Sequence, residues 1–234
     1  MTNLPSHEDL VANILTTWSR ASADDLTNGA EWYAYAHLYA HSLDRKRYKR
    51  AAGVIAALSP QTSWNENVKL ATRAYSYSGP SGQTRANVDK VHAILKGHAP
   101  LDVLGGNKVR AFYACIVDPH ASTEVVVDRH ALSIAVGAEW IAENDHRWAK
   151  GWIQVLERKG AYEAIAEAYR AAAERLGVQP HQVQAITWLT CRQELRPKDS
   201  TFSRFEVEPA CAECARIVSR CVCADKRDHS EDYF

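Results

Sequence analysis

The chain has 234 residues, of which 46% are hydrophobic and 24% charged, as in a folded globular protein with one large domain or two modest lobes. Its 28 basic and 28 acidic residues give a formal net charge of zero, which argues mildly against a nucleic-acid binder, since such proteins usually carry excess Lys and Arg. The polar, acidic N-terminus is not typical of a signal peptide and the longest apolar run, AAGVIAAL, is too short to span a bilayer, so we expect a cytosolic protein with no membrane partner.

Apolar residues at helical spacing predict an all-α fold with few strand-like runs. Start signals precede several of the predicted helices: Ser6 before the first, Ser63 or Asn65 at the fourth, and Pro180 at the last. The predicted helices cover 7–20, 24–42, 46–58, 64–77, 84–96, 107–117, 129–141, 161–176 and 180–194.

Two loops and one boundary divide this helical pattern. Gly and Pro gather in 77–83 and 95–106, which predicts loops there. After Leu195 the sequence becomes polar and unpatterned. We therefore predict a helical body over 1–195 and a small C-terminal appendage over 196–234.

The run DRKRYKR, residues 44–50, packs five basic side chains into seven positions. Two interpretations stay open: Arg45, Lys46 and Arg47 contact the phosphates of a nucleic acid, or the run is a solvated helix start.

The stretch AALSPQTSWNENV begins as an apolar helix, breaks at Ser59-Pro60, and continues as an amphipathic helix. The break exposes Gln61, Thr62 and Ser63 in a loop. Taken alone, this is most simply a polar turn between helices.

The stretch VLGGNKVRAFYACI combines a glycine turn with the start of a helix. Gly105 and Gly106 supply the turn, and Gly106 or Asn107 caps the helix. Lys108 falls on the shoulder of the apolar face, where we expect it to be half-buried. Desolvation would then lower the pKa of its amine and make it nucleophilic; the alternative is an ordinary surface lysine.

The stretch EVVVDRHALSIA takes an extended apolar run into an amphipathic helix at Asp128. Asp is a preferred N-cap residue, because its carboxylate accepts the free N–H groups of the first helical turn. A structural cap is therefore the simplest role for Asp128.

Together, the Leu-Ser-x-Gln-Thr, Gly-x-Lys and Val-Asp-x-His stretches resemble the helix–hairpin–helix DNA glycosylase superfamily, which includes endonuclease III, the adenine glycosylases and 8-oxoguanine glycosylase. The motifs occur in the family's order within roughly 46–140. The resemblance implies a two-lobed helical fold that binds double-stranded DNA with one base flipped out of the stack.

The resemblance also implies roles for particular residues. Lys108 matches the lysine that attacks the sugar C1′ and forms a Schiff base. Asp128 matches the aspartate that stabilises the cationic sugar, a role compatible with capping, since a helix N-terminus favours an ionised carboxylate. Gln61 matches the residue that fills the gap left by the flipped base. We expect the tips of Lys108 and Asp128 to face one cleft, within roughly 10 Å of each other.

The hairpin is divergent. The family reads Leu-Pro-Gly-Val-Gly before its x-Lys, whereas this chain reads Asp-Val-Leu-Gly-Gly over 102–106. A second alignment pairs LGGNKVRAF with an earlier helix of the family, which leaves Lys108 non-catalytic and Asp128 unaffected.

Four cysteines crowd into CAECARIVSRCVC, whereas Cys115 and Cys191 stand apart. Clustered thiols in a cytosolic protein indicate a metal site before they indicate disulfides. Zinc in a Cys₄ site is one outcome, an iron–sulfur cluster is less favoured because the family's spacing differs, and a metal-free tail is nearly as compatible as zinc. The ligands would be Cys211, Cys214, Cys221 and Cys223.

We therefore expect a monomeric DNA N-glycosylase, with or without lyase activity, that excises a damaged, mismatched or modified base. Two alternatives keep the fold: a DNA-binding module without activity, and an enzyme of phage or bacterial DNA hypermodification or defence. A generic helical protein with coincidental motifs is the remaining alternative.

Overall fold

The computed structural model describes residues 4–76, 79–82, 84–137 and 154–195, and the regular structure in these residues is helical throughout. This confirms the predicted all-α class for that part of the chain. No helix among these residues is both long enough and apolar enough to cross a membrane. The helices are α1 (His7–Ser19), α2 (Ala23–Leu43), α3 (Tyr48–Leu58), α4 (Trp64–Ala74), α5 (Arg85–Leu95), α6 (Pro100–Val103), α7 (Asn107–Val117), α8 (Arg129–Ala135), α9 (Ala161–Leu176) and α10 (Pro180–Leu195).

The chain forms two compact units. The first contains the described residues up to Tyr33 and those from His120 onward, and the second contains Ala34–Pro119. The first unit is thus built from two separate stretches of sequence.

In the first unit, α1, α8, α9 and α10 pack around a shared apolar core. The short helix α8 is almost wholly enclosed, with every residue from His130 to Ala135 buried. Helix α9 contributes an apolar face to this core: Ala161, Ile165 and Tyr169 are among its buried residues. A seven-residue helix is marginal by itself, so α8 depends on these neighbours.

In the second unit, α3 is the central helix. Every residue from Ala51 to Leu58 is buried, and α4, α5, α6 and α7 contact this helix. Its small side chains allow neighbouring helices to approach closely. Asn67 of α4 donates from its side-chain nitrogen to the backbone oxygen of Ile55, at 3.0 Å, which satisfies a polar group inside this core.

The predicted helix starts are confirmed at three positions. The Ser6 hydroxyl accepts from the Asp9 N–H at 3.2 Å, and the Ser63 hydroxyl accepts from the Glu66 N–H at 3.3 Å. Pro180 is the first residue of α10. Side-chain caps at Ser6 and Ser63, and a proline at the first helical position of α10, thus place these boundaries where the sequence indicates.

The structure corrects the prediction of a continuous loop over 95–106, because α6 forms within it with Pro100 in its first turn. The prediction failed because four residues are too few to show a helical period. The Arg110 guanidinium donates to the backbone oxygens of Leu101 at 2.6 Å and Leu104 at 3.0 Å, which holds the end of this short helix.

Helix α8 also ends earlier than predicted, at Ala135 instead of 141. Gly137 follows with a φ of +74°, and Asn13 of α1 donates to the Ala135 oxygen at 2.9 Å. A glycine in this conformation is a common helix stop, and the periodic residues after it concealed the stop. Likewise, α4 ends at Ala74 instead of 77.

Gly29 sits where α2 meets α10 and leaves no room for a side chain. A Cβ at this position would lie 2.7 Å from both the Cα and the backbone nitrogen of Ile186. Gly29→Ala should therefore lower the free energy of unfolding by about 1–3 kcal/mol through overpacking. In an open helix the same change would raise it by about 1 kcal/mol.

Chemical denaturation measures this effect. Thr27→Ala, on an exposed position of the same helix, is the control and should change stability by no more than about 0.5 kcal/mol. A stabilised Gly29→Ala variant would contradict the close packing of α2 on α10.

Candidate functional site

Asp128 is the N-cap of α8. Its backbone is extended, with φ −104° and ψ −172°, and its Oδ1 accepts from the N–H groups of His130 and Ala131, both at 2.9 Å. The capping role predicted from the sequence is therefore confirmed. This geometry fixes the carboxylate relative to the helix axis.

The cap uses only one oxygen of the Asp128 carboxylate. The Oδ2 atom accepts no hydrogen bond from the residues that the structure describes, and the Asp128 side chain is half-buried. Because capping fixes the carboxylate, Oδ2 is held in one direction while it stays able to accept a hydrogen bond from a bound molecule.

Trp188 and Arg192 of α10 form an aromatic–cation pair beside α8, which was not predicted from the sequence. The buried ring of His130 lies edge-on to Trp188 of α10, with ring centroids 6.4 Å apart. The Arg192 guanidinium lies 5.0 Å from the centre of the Trp188 ring, a cation–π arrangement. The only sequence signal for this pair was the four-residue spacing of Trp188 and Arg192, which any helix face can show.

The glycine turn of the second unit joins α6 to α7. Gly106 is the N-cap of α7, with φ +77° and ψ +139°, a conformation that is essentially restricted to glycine. No side chain caps this helix, and Gly105, Gly106 and Asn107 are exposed. The predicted turn thus presents backbone N–H groups at a helix start, an arrangement suited to an anion.

Lys108 follows this turn, and its predicted half-burial is wrong. The side chain is exposed in the first turn of α7, whereas Phe112 and Cys115 of the same helix are buried. By spacing, Lys108 lies on the same side of α7 as Phe112 and Cys115, but spacing does not show which neighbouring residues cover the first turn of the helix. The structure therefore lacks the desolvation on which the predicted activation depended.

Gln61 stands out in the loop between α3 and α4. Its φ is +58°, and no other non-glycine residue in the described ranges has a positive φ. The Thr62 N–H donates to the Ser59 oxygen at 3.3 Å, which closes a turn with Pro60 and Gln61 at its centre. Such a turn favours glycine at the position that Gln61 occupies. The exposed Gln61 side chain therefore projects from an unfavourable backbone conformation.

The basic run lies at the start of α3. Arg45, Lys46 and Arg47 form a 3-10 turn that Asp44 caps, and all three side chains are exposed. The Asp44 carboxylate also contacts the guanidinium groups of Arg47 at 3.4 Å and Arg50 at 2.7 Å. Part of the positive charge is therefore neutralised within the protein.

Arg50 extends this cluster into the interior, where its guanidinium lies beside the Tyr75 hydroxyl. Burial of Tyr75 raises the pKa of that hydroxyl to about 12, against the opposing effect of Arg50. The hydroxyl therefore stays protonated at neutral pH, and Arg50 together with Asp44 anchors the basic turn.

The predicted site residues are divided between the two units. Gln61, Thr62, Lys108 and the basic turn belong to the second unit, and Asp128 belongs to the first. The expected proximity of Lys108 and Asp128 joins residues of different units and stays a prediction.

The cysteine cluster, with Cys211, Cys214, Cys221 and Cys223, lies outside the described residues. Cys115 and Cys191 are both buried. In the described ranges, no group of three or more His, Cys, Asp or Glu side chains is placed to hold a metal ion.

Comparison with known proteins gives one match. A family model described as "Family of unknown function (DUF7178)" matches residues 1–195, and the chain belongs to this family. The match ends at residue 195, so the cysteine-containing tail lies beyond it. Neither the curated proteins nor the solved structures gave a match to the chain.

His41, at the end of α2, lies beside the basic turn. Its ring stacks on Tyr48 at 4.2 Å, and the His37 ring lies 4.6 Å away. Burial, together with the charges of His37 and Arg45, lowers the pKa of His41 from its ordinary 6.5. The unfolded chain therefore binds a proton at His41 more readily than the folded chain does.

We therefore expect the contribution of His41 to stability to be fully present above pH 6.5 and to be lost as the pH falls below that value. A His41→Phe variant, which keeps an aromatic ring on Tyr48, should show a smaller loss of melting temperature between neutral pH and pH 5. His92→Phe, on an exposed position of α5, is the control. Equal acid sensitivity in wild type and His41→Phe would contradict this assignment.

Proposed function

We propose that this protein is a DNA N-glycosylase, which hydrolyses the bond between a base and its deoxyribose in double-stranded DNA. The substrate would be a damaged, mismatched or modified base that is flipped out of the stack. Support comes from the resemblance of three motifs to the helix–hairpin–helix DNA glycosylases and from the helical architecture of the described residues.

The geometry of Asp128 carries this proposal. One carboxylate oxygen is fixed by two backbone N–H groups, and the other accepts no hydrogen bond from any described residue. Cleavage of a glycosidic bond develops positive charge on the sugar, and a fixed carboxylate near C1′ stabilises that charge. In this reaction the C1′–N bond breaks, the base leaves with the electron pair and takes up a proton, and water supplies the hydroxyl that bonds to C1′. Asp128 would orient this water and accept its proton.

We assign Lys108 to a phosphate contact, with water as the nucleophile. The amine is exposed beside Gly105 and Gly106, at the uncapped start of α7. Backbone N–H groups and an ammonium at one helix start suit a DNA phosphate. Nothing in the described surroundings of the amine removes water from it, which is the condition expected to activate a lysine nucleophile.

The loop that holds Gln61 supports the same function. A non-glycine residue with positive φ costs stability, and such conformations are concentrated at functional positions. An exposed glutamine on a tight turn is suited to fill the space that a flipped base leaves in the duplex. The basic turn of Arg45, Lys46 and Arg47 would add phosphate contacts.

An Asp128→Asn variant tests the proposal. Asparagine keeps an oxygen that caps α8, so melting temperature and DNA affinity should stay close to those of wild type. The carboxylate charge is lost, so the single-turnover rate of base release should fall about a hundredfold or more on a substrate that wild type cleaves.

Two variants complete this test. Asp89→Asn, on an exposed position of α5, controls for the loss of one surface charge and should release base at the wild-type rate. Lys108→Gln should bind DNA more weakly and still release base at saturation, and borohydride should trap neither it nor wild type. Wild-type excision by Asp128→Asn would leave Asp128 as a cap alone, and covalent trapping through Lys108 would overturn its assignment as a phosphate contact.

Replacement of Gln61 separates stability from function. Gln61→Gly relieves the positive-φ cost and Gln61→Ala keeps it, so the glycine variant should be more stable than the alanine variant by about 1 kcal/mol. Both variants lack the side chain that would fill the duplex, so both should bind a substrate duplex several-fold more weakly than wild type.

Thermal unfolding and titration with a duplex containing the cleaved base measure the two effects. An unmodified duplex of the same length is the binding control, and its affinity should change little. A loss of affinity in Gln61→Ala alone would show that backbone stability, rather than the side chain, governs binding by this loop.

A further inference from the structure

The segment before Asp128 is buried without forming a strand. Val125, Val126 and Val127 are 0%, 6% and 1% exposed, and the described residues offer this segment no strand partner. Backbone N–H and C=O groups in an apolar core need hydrogen-bond partners, because leaving them unpaired is costly. A side chain must therefore supply partners that a neighbouring strand would otherwise provide.

Tyr162, in the first turn of α9, supplies them. Its hydroxyl donates to the Val125 oxygen at 2.8 Å and accepts from the Val127 N–H at 3.1 Å. The Val127 N–H also donates to the Val125 oxygen at 3.1 Å, which closes the segment into a tight turn next to the Tyr162 hydroxyl. One hydroxyl thus bonds to the peptide groups on both sides of Val126, immediately before Asp128.

Other residues of α9 hold the chain on either side of this turn. Arg170 donates from Nε to the Thr123 oxygen at 3.0 Å, and the carboxylates of Glu163 and Glu167 contact the same guanidinium. The Tyr169 hydroxyl donates to the Ala131 oxygen at 3.3 Å, within α8. Helix α9 thus fixes the chain that enters Asp128 and the helix that leaves it.

We propose that Tyr162 is a positioning residue for Asp128. This inference rests on the proposed function, in which the Asp128 carboxylate must stand at a fixed distance from the sugar. Tyr162 fixes the backbone of Val125–Val127 through its two hydrogen bonds. Asp128 follows directly, so the position of this backbone determines the position of Asp128. Catalytic groups are sensitive to small displacements, since an error of about 1 Å can cost about a hundredfold in rate. Tyr162 acts through Asp128 and contacts no substrate.

Tyr162→Phe tests this role, because it removes only the hydroxyl and keeps the ring. Tyr169→Phe is the matched control, since it makes the same change on the same helix and removes a hydrogen bond to the Ala131 oxygen of α8 instead of the hydrogen bonds to the segment before Asp128. A third variant, Arg170→Gln, removes the outer contact to Thr123 and should have a smaller effect than Tyr162→Phe.

Two measurements are made on each full-length variant. Amide hydrogen exchange should show the His130 and Ala131 N–H groups, which Asp128 caps, exchanging about tenfold faster in Tyr162→Phe and near the wild-type rate in Tyr169→Phe. Single-turnover base release should slow about tenfold in Tyr162→Phe with duplex affinity within about twofold of wild type, whereas Tyr169→Phe should keep its rate.

The outcomes separate this inference from the proposed function. If wild type releases no base from any duplex, the proposed function fails, and the exchange measurement alone decides whether Tyr162 fixes the Asp128 cap. Unchanged exchange of His130 and Ala131 in Tyr162→Phe overturns the inference. Faster exchange with an undiminished rate of base release also overturns it, as does an equal loss of rate in Tyr169→Phe.

Discussion

Two backbone N–H groups at the start of α8 share one acceptor, the Oδ1 atom of Asp128. Helix α8 is short, and its residues from His130 to Ala135 are buried in a core shared with α1, α9 and α10, so the His130 and Ala131 N–H groups need an acceptor within the protein. The cap is therefore a requirement of the core, and it fixes the carboxylate as a consequence. A carboxylate fixed by the fold needs no reorganisation when charge develops next to it, which is the property that electrostatic catalysis requires.

The zero net charge of the chain is compatible with a DNA-binding role because charge is distributed unevenly. Arg45, Lys46 and Arg47 are exposed on one turn, and Lys108 is exposed at an uncapped helix start in the same unit. Asp44 forms an ion pair with Arg50 that anchors the basic turn, and the Asp44 carboxylate neutralises part of the positive charge of that turn. Any binding to DNA would then depend on a few local phosphate contacts instead of a general positive field.

Much of the helical layout was readable from the sequence, since the periodic segments are long and their caps are local. Ser6, Ser63 and Asp128 cap the helices that they were predicted to begin. Helix α6 was missed because a single turn has no period, and the exposure of Lys108 was missed because it depends on which neighbours cover α7. The hydroxyl of Tyr162 bonds to Val125, which lies 37 residues earlier in the chain, and no local pattern records such a contact.

The most direct test of the central claim is the release of free base from DNA by the wild-type chain. A panel of duplexes, each with one damaged, mismatched or modified base, is incubated with the protein, and the supernatant is analysed by mass spectrometry. Because the free base itself is detected, the measurement does not depend on strand cleavage or on a Schiff base. We predict release of one class of base and none from the unmodified duplex. Binding to the duplexes without release of any base would contradict the account and would make the protein a DNA-binding module.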